Sequence, residues 1–102
     1  MDLKDKRDSL GTKTVEVCFV LPTYNEEKNI RQTVEGIFSN QVLVPTSRFR
    51  VLVVDDNSSD GTQKEVTRLI AKYPDLHMIT GDKKGLGDAY KRGLLYALSS
   101  FK

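Results

Sequence analysis

The sequence predicts an α/β fold, a three-layer α/β/α sandwich with about three parallel strands and three helices, on three observations. Apolar segments recur at Val15–Leu21, Phe49–Val54 and His77–Thr80; each runs into a loop of turn-forming or polar residues; and each loop runs into apolar residues at helical spacing. Strands that alternate with helices are joined by right-handed crossovers, which lay the strands parallel between helical layers.

The first unit starts at Val15 and passes through Pro22-Thr23-Tyr24-Asn25 into a helix predicted to begin near Glu26. Asn25 suits its N-cap, and Glu26 and Glu27 suit the positive end of its dipole. Ile30, Val34, Ile37 and Phe38 fall on one face of that helix. The segment Ser39 to Arg48, broken by Pro45, reads as an irregular surface excursion without assigned function. The second strand, Phe49 to Val54, reads as apolar on both faces, as a strand covered from both sides requires. It ends on Asp55-Asp56, and Asn57-Ser58-Ser59-Asp60-Gly61 then turns the chain. Val66, Leu69, Ile70 and Tyr73 follow at i, i+3, i+4, i+7, and Pro74 stops that helix. The third unit runs from His77-Met78-Ile79-Thr80 through Gly81 to Gly87 into a helix with Tyr90, Leu94, Ala97 and Leu98 on one side.

The 102 residues suffice for one domain or a piece of one, and 38% hydrophobic content supports a modest core. Sixteen basic against fourteen acidic residues give a net charge of +2, and no stretch interleaves basic with aromatic residues, so no nucleic-acid partner is expected. Cys18 is the single cysteine, which excludes an internal disulfide and a thiolate metal site. Residues 1–13 read as a polar tail, and the apolar runs fall far short of the roughly 20 residues of a membrane-spanning helix.

In an open α/β sheet ligands bind beyond the carboxyl ends of the strands, which is where the three loops gather. Pro22 presets the backbone so that the Tyr24 ring lies over the rim, suited to stacking on a base or to packing on a helix. Glu26 suits either ligand contact or the helix dipole. A carboxylate at Asp56 can accept a hydrogen bond from a ring N–H such as uracil N3–H or guanine N1–H. Asp55 is the better candidate for holding the turn. Lys83-Lys84-Gly85-Leu86-Gly87 places cations and small residues before a helix, where a diphosphate could bind or the lysines could be solvated. It lacks the dinucleotide fingerprint, because Tyr90 stands where the third glycine belongs. His77, at a strand start, reads as structural.

Three motifs, Leu21-Pro22-Thr23-Tyr24-Asn25-Glu26-Glu27, Val53-Val54-Asp55-Asp56-Asn57-Ser58-Ser59-Asp60-Gly61-Thr62 and Lys84-Gly85-Leu86-Gly87-Asp88-Ala89-Tyr90-Lys91-Arg92-Gly93, resemble the family 2 glycosyltransferases in order and spacing. The likeness covers about residues 15–98, and the third motif favours the dolichol-phosphate (polyprenol-phosphate) mannosyltransferase branch. The resemblance implies a nucleotide-diphospho-sugar transferase (GT-A, Rossmann-like) fold, with residues 14–102 as its N-terminal nucleotide-binding half. It implies transfer of mannose from GDP-mannose to a dolichyl or polyprenyl phosphate, with inversion at the anomeric carbon. By matching position, Pro22, Tyr24, Glu26, Val54 and Asp56 are expected to hold the donor nucleoside, with Lys84 beside the diphosphate and no catalytic residue among the 102. A UDP-sugar suits the same acid and ring.

The family also implies a Mg or Mn ion held by an Asp-x-Asp motif on a fourth strand, and no Asp-x-Asp occurs in this sequence. These residues alone are therefore expected to bind donor weakly and not to turn over, because a divalent ion supplies several kcal/mol to such transfers. With strand order 3-2-1 the first strand is an open edge, so self-association through it is expected. A cytoplasmic location, peripheral to a membrane, goes with the family's acceptor. Two alternatives remain at this level: a catalytically incomplete nucleotide-binding remnant, and a phosphoacceptor receiver domain. The latter also has an apolar strand ending in Val-Asp-Asp-Asn, but there that strand comes first.

Overall fold

A computed structural model of the chain describes residues 15–82 and 85–101. The polar tail expected over residues 1–13 and the diphosphate contact expected of Lys84 lie outside the described residues. Strand and helix alternate as expected: β1 (Val15–Thr23), α1 (Ile30–Asn40), β2 (Ser47–Asp55), α2 (Thr62–Lys72), β3 (Leu76–Thr80) and α3 (Leu86–Ser100). The strands form one sheet in the order β1-β2-β3, parallel throughout. Thr23 pairs with Asp55 and Asp55 with Thr80, so the three strands end in one row.

Alternation along β2 sorts the core into two layers. Val51 and Val53 pack with Ile30 and Val34 of α1 and Val66 and Leu69 of α2. Leu52 and Val54 face the opposite side, against Ala89 of α3. The result is α1 and α2 on one face of the sheet and α3 on the other. Because β2 is covered on both faces, it reads as a near-continuous apolar run. Arg50 interrupts that run. Its guanidinium reaches the end of the α3 layer and lies 4.8 Å from the centroid of the Phe101 ring.

Three expectations are corrected. The α1 helix starts at Ile30 rather than near Glu26, and Asn25 is not its N-cap. Residues 26–29 form a turn in which the N–H groups of Asn29 and Ile30 both donate to the Glu26 carbonyl. Asn25 is instead held in the left-handed region, φ 53°, with its carboxamide engaged by the next loop. The excursion after Ser39 is more regular than expected: α1 continues to Asn40, and a single 3-10 turn at Gln41–Leu43 leads to β2. There the Gln41 side-chain oxygen accepts a hydrogen bond from the Phe49 N–H at 3.0 Å.

The third correction concerns the face of α3. Tyr90, Leu94 and Leu98 do not cover the sheet; they are exposed, while Ala89 and Gly93 are buried. A Cβ on Gly93 would stand 2.6 Å from Val20 Cγ1 and 2.9 Å from Val54 Cγ2. The helix therefore turns its smallest residues to the sheet and approaches closely, which rotates the apolar stripe outward by about 100°, one residue step.

Candidate functional site at the strand ends

The level row Thr23, Asp55, Thr80 carries a rim built by three loops. Asp55 is its buried anchor. Its carboxylate accepts hydrogen bonds from Thr23 Oγ1 at 2.7 Å, Ser58 Oγ at 2.6 Å, the Ser58 N–H at 2.8 Å and Gln63 Nε2 at 2.7 Å. Burial pushes its acidity toward the neutral form, but the donors from Ser58, Gln63 and Thr23 outweigh burial and hold its pKa below the ordinary carboxylate value. Asp55 holds the turn, and all its bonds are spent inside the fold.

The first two loops are stitched together reciprocally. Asn25 Oδ1 accepts from the N–H groups of Ser59 at 2.9 Å and Asp60 at 3.3 Å, while the Asn25 N–H donates to Ser58 Oγ at 2.8 Å. Glu26 donates its N–H to Thr62 Oγ1 at 2.8 Å, and Glu27 Oε1 accepts from the Gly61 N–H at 3.0 Å. A third strap reaches the next loop: Asn57, also left-handed at φ 53°, donates through Nδ2 to Asp82 Oδ1 at 3.2 Å. The Gly81 N–H extends the ladder by donating to the Asp55 carbonyl at 3.0 Å.

Asp56 behaves differently from its neighbour. Its N–H donates to the Thr23 carbonyl at 3.0 Å, which places it beside the start of the first loop. Its side chain is largely buried, and Oδ1 accepts a short hydrogen bond from Arg92 Nη2 in an ion pair. Among the described residues nothing donates to Oδ2. Arg92 Nε is held in turn by Asp88 Oδ2 at 2.8 Å, one helical turn back on α3. Arg92 Nη1 is buried against Gly81, where a Cβ would come within 2.3 Å of it, and has no partner among the described residues. An orphaned donor of this kind costs about 1–3 kcal/mol.

Of the residues expected at the site, Pro22, Tyr24, Glu26, Val54 and Asp56 all lie at or just beyond the ends of β1 and β2. Tyr24 is 41% exposed. Glu26 is half-buried, with its backbone committed to the Thr62 contact. Val54 is wholly buried toward α3, so only its backbone can face the rim. His77 lies at the other end of the sheet, 4.7 Å from the Phe101 ring centroid, in keeping with a structural role. The Asn25 stitching and the Arg92 bridge escaped sequence reading. Asp88 and Arg92 at i, i+4 were the available signal, but spacing along one helix does not reveal a partner on another layer.

A divalent ion does not fit the residues described. No group of three or more His, Cys, Asp or Glu side chains is placed to hold one among them. The Asp55 carboxylate is saturated by protein donors, and that of Asp56 is paired with Arg92. Nor is any helix among the described residues long and apolar enough to cross a membrane.

Residues 18–101 match the family described as glycosyl transferase family 2. The dolichol-phosphate mannosyltransferase of Pyrococcus furiosus is 32% identical over 79 residues, covering 78% of this chain and 22% of that protein. The dolichyl-phosphate beta-glucosyltransferase of Trichomonas vaginalis is 32% identical over 88 residues, covering 81% of this chain and 26% of its own length. Among solved structures, a mannosyltransferase of Pyrobaculum calidifontis in complex with GDP-Man and Mn2+ superposes with a TM-score of 0.69 at 29% identity, over 78% of this chain and 24% of that one. The chain thus spans about a quarter of the length of these relatives.

Proposed function

Because the chain belongs to glycosyl transferase family 2, we propose that its strand-end rim holds the nucleotide of a sugar donor, GDP-mannose, for transfer to a dolichyl or polyprenyl phosphate at a membrane surface. The observation that carries the reading is the division of the Asp pair. Asp55 is consumed by four protein donors, whereas Asp56, one residue on, keeps Oδ2 without a donor among the described residues, on the same rim as Tyr24. A carboxylate with one oxygen open among the described residues, on the rim that carries an exposed ring, suits a flat base that presents an N–H at its edge. Pro22, Glu26 and the Val54 backbone complete the nucleoside contacts of this reading. Lys84 has the charge to meet the diphosphate.

A base with a ring N–H flanked by a carbonyl is the shared requirement, which guanine and uracil both meet. GDP and mannose are favoured by the mannosyltransferases among the relatives and by the GDP-Man complex of the structural neighbour. The glucosyltransferase among the relatives keeps the sugar itself the least constrained part of the reading. Metal-assisted departure of the diphosphate requires ligands other than the two acids described, so these residues bind and orient the nucleotide and do not complete transfer by themselves.

Calorimetric titration with GDP and UDP, each with manganese, tests the reading. Saturable 1:1 binding of GDP, weaker for UDP, is expected. Absence of heat with both nucleotides at protein concentrations that detect millimolar affinity would refute it. Mannose transfer to a polyprenyl phosphate by these 102 residues alone would overturn the separate proposal that they do not turn over.

A further inference from the structure

Resting on that donor-site reading, we infer that Arg92 is a positioning residue for base recognition: through its Asp88–Arg92–Asp56 bridge it fixes the Asp56 carboxylate with Oδ2 turned to the ligand. Three features of the bridge support this. Asp56 is the one acid of the pair that β2 leaves without side-chain partners from its own loop; Asp55 beside it takes bonds from Thr23, Ser58 and Gln63. Arg92 alone constrains its side chain among the described residues, and it comes from the opposite layer, 36 residues away in sequence.

The guanidinium is itself placed by charge. Nη2 meets Asp56 and Nε meets Asp88, so two carboxylates grip adjacent edges of one rigid plane. Among the described residues Nη1 is left buried and unpartnered, which a side chain oriented for its own best hydrogen bonding would avoid. Gly81 leaves room for this placement, because a Cβ there would stand 2.3 Å from Nη1 and shift the end of the Arg92 side chain. The single Nη2 bond to Oδ1, from a guanidinium anchored by Asp88, restrains the torsion of the Asp56 carboxylate, and with it the direction in which Oδ2 accepts. A guanine edge offers N1–H to such an acceptor, whereas adenine offers a lone pair at the corresponding ring nitrogen and is repelled. Positioning therefore shows as discrimination between bases rather than as binding alone.

The test measures calorimetric affinity for GDP, UDP and ADP on the protein, R92Q, R92K and D88N, with urea unfolding of each variant without nucleotide. The unsubstituted protein is expected to favour GDP or UDP over ADP by at least about tenfold, the scale of one charge-assisted hydrogen bond. R92Q and R92K are both expected to lose most of that preference, since a lysine keeps the charge but cannot grip Asp56 and Asp88 with one plane. D88N, which keeps the Asp56 contact, is expected to lose a smaller part. If R92Q does not fold, R92K decides. Retention of the full preference by folded R92Q or R92K overturns the inference while leaving the donor-site reading intact. Failure of the unsubstituted protein to bind either GDP or UDP overturns that reading, and the inference with it.

Discussion

Thr23 donates its hydroxyl to Asp55 Oδ1 at 2.7 Å across the last paired row of β1 and β2, so the sheet ends in a side-chain hydrogen bond that continues its backbone ladder. The bond fixes where the first two loops leave the sheet. Replacing Asp55 by Asn swaps an acceptor for a donor facing Thr23, Ser58 and Gln63, and leaves buried donors unpaired. Asp55→Asn is expected to lower unfolding stability by about 3 kcal/mol, read by urea denaturation at pH 7. A change within 0.5 kcal/mol would mean that the four contacts are not formed together.

The same carboxylate sets an acid limit. Its folded pKa lies below the usual 3.8, so its stabilisation is fully present above that pH and is lost as pH falls through the folded value. His77 adds an earlier step: burial, then the Arg50 charge, depress its pKa below 6.5. Its stabilisation is likewise present above 6.5 and declines below it, because the unfolded chain takes up the proton first. Urea midpoints measured from pH 7.5 to pH 3 are expected to fall in two stages, with H77Q removing the upper stage and Asp55→Asn reducing the lower, to which Asp60 also contributes. A midpoint that rises between pH 6.5 and 5 in a manner dependent on His77 would contradict the sign.

Much of this architecture is legible in the residues. Aliphatic density marks Val51 to Val54 as a buried strand, and the turn chemistry of Asn57 to Gly61 marks its exit, because both depend on local composition. The face that α3 turns to the sheet differs from the one its apolar periodicity selects, for a physical reason. Periodicity selects Tyr90, Leu94 and Leu98 because they are large and apolar, but close approach to Val20 and Val54 selects Gly93 and Ala89 because they are small. The roles of Asn25 and Arg92 depend on partners 34 and 36 residues away, and spacing along the chain carries no such information.

Gly93 offers a direct check on that packing. Alanine gains about 1 kcal/mol in helix propensity over glycine, but its Cβ would meet Val20 at 2.6 Å and Val54 at 2.9 Å, and overpacking costs about 1–3 kcal/mol. Both contacts are branched side chains fixed by the sheet, so the strain is expected to prevail. Gly93→Ala should lower the thermal midpoint, and Gly93→Val should lower it further. A raised midpoint for Gly93→Ala would show that α3 stands farther from the sheet.

Asn25 separates backbone strain from stitching. Its φ of 53° suits glycine, yet its Oδ1 serves the Ser59 and Asp60 amides. Asn25→Gly removes only the acceptor and is expected to cost about 1 kcal/mol; Asn25→Ala adds the left-handed strain and should cost about 2 kcal/mol. Faster amide exchange at Ser59 and Asp60 in both variants, with unfolding ranking Ala below Gly, checks the assignment.

The central claim, that the strand-end rim is the donor-nucleotide site, is tested most directly by mapping GDP onto the protein through backbone amide chemical shifts. The account predicts that shifts on titration concentrate at Tyr24, Glu26, Asp56 and Asn57, with Asp56→Ala abolishing them at the same nucleotide concentration. Rim shifts that persist in Asp56→Ala would remove Asp56 from the base contact, and shifts concentrated at the opposite end of the sheet, around Arg48, Arg50 and His77, would contradict the claim.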